Sequence, residues 1–390
     1  MTVTQAPNVS GALETSDRVA SHLHPEGSFD VADHPVPSGK EEWWRFTPMR
    51  RLRGLQTDAP FAAGGCTVTV QAPAPATVSQ VSIDDPVTRE SGFAPTERVS
   101  ARAWNAVDEA TLVDIPAEAE LDQPIYLRHT GNGSDVATAG HAVIRAGRHS
   151  KATVVLEFSG SATVADTVQV IAGDGAQLTV VAMLEWADDA VHHSAQHIKV
   201  GRDAKVKHAV LTFGGDLVRV PVSVDYDGPG GDVELLGLYY ADEGQYLEHR
   251  IFVDHAKPNC KSDALYKGAL QGKGARTVWV GDVLIRKAAE GTETYEMNRN
   301  LLLTEGARAD SVPNLEIETG EIAGAGHASA TGRFDDEQLF YLLSRGIPEP
   351  VARRLVVRGF FGEILLRLGV PDVVERASAI IERELAVTGN

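Results

Sequence analysis

Residues 142–158, AVIRAGRHSKATVVLEF, are followed by 168–184, VQVIAGDGAQLTVVAML, and then by 198–213, IKVGRDAKVKHAVLTF. In each stretch an alternating apolar run meets a glycine turn and a second alternating run follows, the period of two that belongs to strands. The turn glycines Gly147, Gly173 and Gly201 stand 26 and 28 positions apart. A repeat of that length, made of strands with little helix, is long enough for one coil of a parallel β-helix, where each coil pairs only with its neighbours.

Outward from these coils, DVELLGLYY (232–240), SDALYKGAL (262–270), ARTVWVGDVLI (275–285) and NLLLTEGARAD (300–310) keep the strand pattern without a strict period. The chain therefore reads as mainly β, with a right-handed parallel β-helix core over 111–332. About eight coils at roughly 4.8 Å between paired strands would form a stiff rod on the order of 40 Å long. The competing architecture is an antiparallel β-sandwich, which also shows many short strands separated by turns.

On either side the pattern changes. Residues 1–28 are polar, small and Pro/Gly-punctuated, and read as a mobile tail. Residues 29–110 mix Pro-rich turns with short helical stretches such as 97–107, a small α/irregular domain docked on something larger. After Gly332 the apolar period becomes 3.6, marking a C-terminal helical domain over 333–390. Asp335 and Gln338 form a capping-box variant, and Leu339, Phe340, Leu342 and Leu343 supply an apolar face before Gly346. Pro350 starts a second helix through Val351, Leu355, Phe360, Ile364 and Leu365, and Pro371 a third through Val374, Ile380, Ile381 and Leu385.

Composition narrows the function classes. At 390 residues with 36 basic and 54 acidic side chains, the formal charge of -18 opposes sequence-independent binding to nucleic-acid phosphates. Only Cys66 and Cys260 are present, in unrelated segments, which fits a reduced, cytoplasmic setting better than a disulfide framework. The first residues show no basic start followed by an apolar run, and Arg358, Glu363 and Arg367 interrupt the longest apolar stretches, so neither an export signal nor a membrane span is expected.

Several residues invite a chemical reading. His327, in AGAGHASATG, is surrounded by small residues that leave room to meet another surface. Its imidazole could ligate iron or relay protons, whereas a lone histidine is more often a hydrogen-bonded structural residue. Cys260 lies near His255 in DHAKPNCKSD with no third orienting group, so a small buried residue is favoured over a nucleophile, and Cys66 has less support still. Of His192, His193 and His197, only the last two would share a strand face, with no adjacent carboxylate or thiolate; a solvated histidine-rich edge is favoured. GALQGKG (268–274) departs from a nucleotide-binding loop in glycine spacing, in the residue after the lysine and in the element that follows, so the chain should not hydrolyse ATP itself. Asp225, Asp227, Asp232 and Glu234 flank a turn and read as solvated, although such carboxylates serve β-helical carbohydrate lyases and hydrolases, a minor alternative for this chain.

The C-terminal part of the sequence resembles the SufB/SufD family of iron-sulfur cluster assembly proteins. The matching residues are Leu301 to Leu303, Pro313 with Leu315, Glu316 and Ile317, His327, the Thr331-Gly332-Arg333 step, and Gln338-Leu339-Phe340-Tyr341 leading to Arg345-Gly346-Ile347. GKEEWWRFTPMRRL (39–52), WNAV (104–107) and DQPIYL (122–127) look like weaker parts of the same pattern. SufB-type chains are expected to carry a cysteine near Asn298 and a glutamate where Ala328 stands, so the resemblance is to the SufD branch. It implies a β-helical, non-catalytic scaffold pairing with SufB, with the ATPase SufC docking on the C-terminal helices and supplying ATP-driven motion. His327 aligns with the histidine that SufD-like chains present at the cluster-building interface. The cysteine often found two residues earlier is Ala325 here, so any ligation rests on His327. The nascent cluster would be shared with SufB and none held stably by the chain alone. Phe340, Tyr341, Arg345 and Phe360 would form or support the SufC-docking surface, or pack inside the helical domain. A SufB-like homodimeric scaffold is the alternative within the family.

Overall fold

The structure, a computed structural model, describes residue 23 and residues 26–58, 60–334 and 336–387. The tail assigned to 1–28 falls largely outside these residues, as does the capping role of Asp335 and Gln338. In chain order, strands β1 (Cys66–Gln71) and β2 (Thr77–Ser82), helix α1 (Arg98–Asn105) and strand β3 (Glu109–Ile115) precede two long strands, β4 (Ile125–Ala146) and β5 (Lys151–Ala172). Eleven strands of nine or ten residues follow: β6 (Gln177–Trp186), β7 (Val191–Val200), β8 (Lys205–Phe213), β9 (Leu217–Tyr226), β10 (Asp232–Ala241), β11 (Tyr246–His255), β12 (Lys261–Leu270), β13 (Arg276–Ile285), β14 (Glu293–Leu302), β15 (Arg308–Ile317) and β16 (Gly324–Arg333).

These strands wind into a parallel β-helix of about eight turns. The first half of β5 pairs with β6 and its second half with β7, so one strand turns the corner between two sheets. Even-numbered strands then stack on one wall and odd-numbered strands on the other. The step between coils is 26 residues from Lys151 to Gln177 and 28 from Gln177 to Lys205, but 32 from Lys261 to Glu293. The sequence period fades because later coils carry longer turns, while the strand register continues.

The turn glycines repeat for a steric reason. Gly173 donates its N–H to Ala146 O at 2.8 Å and Gly201 to Ala172 O at 2.8 Å, so successive turns stack backbone on backbone. A Cβ on Gly201 would lie 2.8 Å from both Ala172 O and Asp174 N, closer than side chains come. Two residues further on, His149, Gly175, Asp203, Gly230, Asn259 and Gly291 all adopt left-handed backbone, with φ between 53° and 77°. That column takes glycine, or residues that tolerate the conformation.

Alternate side chains fill the lumen: Val154, Leu156 and Phe158 from β5, Val180, Ala182 and Leu184 from β6, and their successors form one continuous core. The outward faces are covered by the rest of the chain. On the odd wall, Trp44, Leu52, Leu55, Val99 and Ala103 pack against Ala165, Val191, Leu217, Tyr246 and Val278. Glu97 caps α1, its carboxylate accepting from Val99 N at 2.8 Å and Ser100 N at 2.7 Å. Beneath this layer, buried Glu248 lies 3.3 Å from both Arg219 and Arg250, and Thr47 Oγ1 donates to it at 2.7 Å. Both arginines donate to Trp43 O at 2.8 Å, fixing where the N-terminal segment lies.

On the even wall lie α3 (Glu349–Leu368) and α4 (Pro371–Val387), which follow α2 (Asp336–Ser344). Val357, Phe361, Ile364, Val373 and Ile380 share a core with Val181, Met183, Leu211, Leu236 and Leu238. Arg367 pairs with Glu234 at 2.7 Å, and Arg376 with Glu157 at 2.7 Å and Glu185 at 2.8 Å. These helices therefore take their buried face from the solenoid, and Glu234 is an anchor for α3 rather than a solvated turn carboxylate. No described helix is long and apolar enough to cross a membrane.

The histidine trio departs from the solvated edge expected of it. Strand β7 is internal, between β5 and β9, and His192, His193 and His197 are all buried. The alternation is as expected, but the N-terminal layer covers the outward face. His192 points inward, accepts from Trp186 Nε1 at 3.0 Å and lies 3.2 Å from Asp166. His193 lies 3.3 Å from Glu97, and His197 2.8 Å from Ser223 Oγ. Carboxylates are thus adjacent after all, brought from other coils and from α1.

Candidate functional site

The last coil differs chemically from those before it. On β14 the inward positions are Thr294, Glu296, Asn298 and Asn300, all buried and all polar, where the preceding coil places Ser262, Ala264, Tyr266 and Gly268. The strand still pairs because these polar groups satisfy one another. Asn298 Nδ2 donates to Tyr239 OH at 2.7 Å, Tyr239 OH to Asn300 Oδ1 at 2.9 Å, and Asn300 Nδ2 to Asn298 Oδ1 at 2.8 Å. Glu296 is the exception: neither carboxyl oxygen has a hydrogen-bond partner. Burial, reinforced by the charge of Asp282, pushes its pKa up to about 8. The space it occupies exists because Gly281 faces it; a Cβ there would stand 2.8 Å from Glu296 Oε1.

His327 is the register partner of Glu296 on β16 and shares its inward-facing parity. It is nevertheless exposed, because among the described residues β16 pairs only with β14 and no strand follows. Strand β15 is the matching edge of the other wall, half-buried along nearly its whole length. The two walls thus end in open edges with unpaired main-chain groups, a surface suited to strand addition. Ala325 rests against the lumen core, and Asn298, where a SufB-type cysteine would be expected, is fully enclosed. Among the described residues, no three His, Cys, Asp or Glu side chains are arranged to hold a metal ion.

The residues singled out for docking divide into two settings. Phe340 is 72% exposed and Tyr341 57% exposed on α2, with the Arg345 guanidinium 4.9 Å from the Tyr341 ring centroid. Val351 and Leu355 on α3 are exposed as well. Phe360 instead faces the even wall: it is half-buried, with the Lys267 ammonium 5.4 Å from its ring, and that ammonium also donates to Phe360 O at 2.9 Å. Cys260 is buried, its Sγ directed to Gly228 O and not to His255, whose Nε2 lies 2.9 Å from Ser262 Oγ. Burial raises the Cys260 pKa. Sequence reading passed over Glu296. The available signal was the unbroken run of polar residues at the alternate positions 294, 296, 298 and 300, which the coils before it do not carry.

These features define a two-walled parallel β-helix, clasped on both faces, with its final coil left open. The chain belongs to the SufBD family of iron-sulfur cluster assembly proteins: the family model described as SUF system FeS cluster assembly, SufBD core domain, matches residues 129–360. It is 52% identical over 389 residues to an iron-sulfur cluster assembly SufBD family protein of Mycobacterium bovis, covering 98% of this chain and 97% of the relative. A SufBD family protein of Mycobacterium leprae is 53% identical over 367 residues, with 93% of each chain covered. The iron-sulfur cluster assembly protein SufD of Escherichia coli is 30% identical over 203 residues, 52% of this chain and 48% of that protein.

Proposed function

We propose that this chain is a SufD-type scaffold subunit, without catalytic activity of its own, that pairs with a SufB-type partner at the open last coil and docks a SufC-type ATPase on its C-terminal helices. The observation that carries this reading is the placement of His327, exposed on a terminal edge strand yet aligned with the inward, polar column of β14. A partner strand added there would bring its own side chains opposite the imidazole, and a nascent iron-sulfur cluster, the cargo, would be held by both chains. Asn298 and Ala328, where SufB-type chains are expected to carry cysteine and glutamate, support the SufD assignment. The exposed Phe340, Tyr341 and Arg345 form the ATPase-facing patch, with Phe360 supporting it from the solenoid side. ATP is bound by that partner. Two unpaired cysteines fit work in the reducing cytoplasm.

Co-expression with SufB-type and SufC-type chains from the same genome tests the reading. A tagged form of this chain should retain both. Recovery of a homodimer that binds a cluster without a second paralogue would replace it with the SufB-like alternative, and a monomer that retains neither chain would reject it.

A further inference from the structure

The opposite end of the solenoid holds a cavity of about 580 Å³, within the range of small-molecule sites. It opens where the cap on the first coil is incomplete. Strand β1 pairs with the first half of β4, and β3 pairs with β4 only from Ala142 onward. Between these caps, the edge of β4 around Thr138 to His141 borders the cavity, whose wall includes Leu156 and Phe158.

Charge in this cavity is one-sided. Among the described residues Asp108, Glu109 and Asp166 line it and no lysine or arginine does. Asp166 is only 6% exposed, and while its Oδ2 lies on His192, its Oδ1 has no hydrogen-bond partner. His129, stacked on Phe158 with ring centroids 4.5 Å apart, also has an unpartnered Nδ1. We propose that the cavity binds a small organic cation, an ammonium group meeting Asp166 Oδ1 at one end while an aliphatic body lies along Leu156, Phe158 and Val68.

The protonation states agree with that occupant. Burial works against the charge of Asp166, but His192, with a further contribution from the Ser194 hydroxyl, outweighs it and holds the carboxyl below its usual range. Burial keeps His129 neutral, so the imidazole does not compete as a cation. Burial and the Asp166 charge push the Cys66 thiol up to about 11, which leaves it protonated and a poor metal ligand at neutral pH.

Titration of 1,5-diaminopentane into the full-length chain, with 1,5-pentanediol as the uncharged comparator, tests the site by calorimetry. The diamine should bind at least about tenfold more tightly than the diol, and Asp166→Asn should weaken it by about tenfold or more, as loss of a charged hydrogen-bond partner implies. Because Asp166 also holds His192, Val68→Lys supplies a second variant at an exposed rim position, and it should weaken the diamine similarly by placing a cation at the mouth. Diamine binding that matches the diol, or that survives Val68→Lys unchanged, would overturn the proposal. So would zinc binding that displaces the diamine and is lost in Cys66→Ser, since the site would then be a metal site.

Discussion

At Glu296 the fold encloses a carboxyl group and gives neither oxygen a hydrogen bond. A carboxyl whose pKa rises from 4.5 to about 8 on folding binds more protons in the native than in the unfolded state across that window. Its contribution to stability is therefore full below about pH 4.5 and is lost as pH rises through about 8. Glu296→Gln should flatten this dependence and leave the variant more stable than the native chain at pH 9, by on the order of 2 kcal/mol. Denaturant unfolding at pH 5, 7 and 9 measures it; parallel pH profiles would show that the carboxyl is solvated. His327 offers the contrasting case. Exposed and flanked by small residues, it should tolerate alanine with a stability change within about 0.5 kcal/mol. In the proposed complex the same change should depress cluster content, Cys should partly restore it if metal binding is the role, and Gln should not. Full cluster content in the Ala form, with the complex intact, would sink that role. The exposure of His327 was legible because its small-residue surroundings are local in sequence. Glu296 was not, because its burial depends on Gly281 from another coil.

Helix α3 shows what periodicity can and cannot supply. Its extent, Glu349–Leu368, follows from the apolar spacing and from Pro350 in the first turn. The apolar positions that mark it include Val351 and Leu355, yet both are exposed, while Ala352, Val357, Phe361, Ile364 and Leu368 are buried. Apolar residues occur nearly all round this helix, so spacing locates it without saying which side meets the sheet. Phe361→Ala should cost about 3–5 kcal/mol, since the ring is fully enclosed between helix and even wall. Phe340→Ala should cost under about 0.5 kcal/mol yet reduce retention of the SufC-type chain in a pull-down. Equal stability losses in the two variants, or undiminished retention with Phe340→Ala, would contradict this division. Truncation before Phe334 is the poorer experiment, because it would strip the cover from Leu236, Leu238 and Met183 and invite aggregation.

Across the whole molecule, coil architecture could be read from three glycine turns because turn stacking is steric and repeats locally. The clasping layers could not: Trp44 meets Val191 and Tyr246 through a surface with no sequence period. His193 and His197 were misjudged for the same reason, their burial coming from the N-terminal layer far upstream in the chain, while His192 is buried in the lumen. A solenoid whose coils contact only their neighbours, clasped along its length but open at one end, should not be equally stable throughout. Native-state hydrogen exchange should show strong protection in β6 to β13, where interior strands are paired on both sides, and much weaker protection in β15 and β16, whose outer edges are unpaired. Adding the SufB-type partner should raise protection in β15 and β16 and leave β6 to β9 unchanged, because an added strand satisfies main-chain groups only at the edge it joins. Protection gained instead across α3 and α4, with β16 still exchanging freely, would move the pairing surface from the open coil to the helical face.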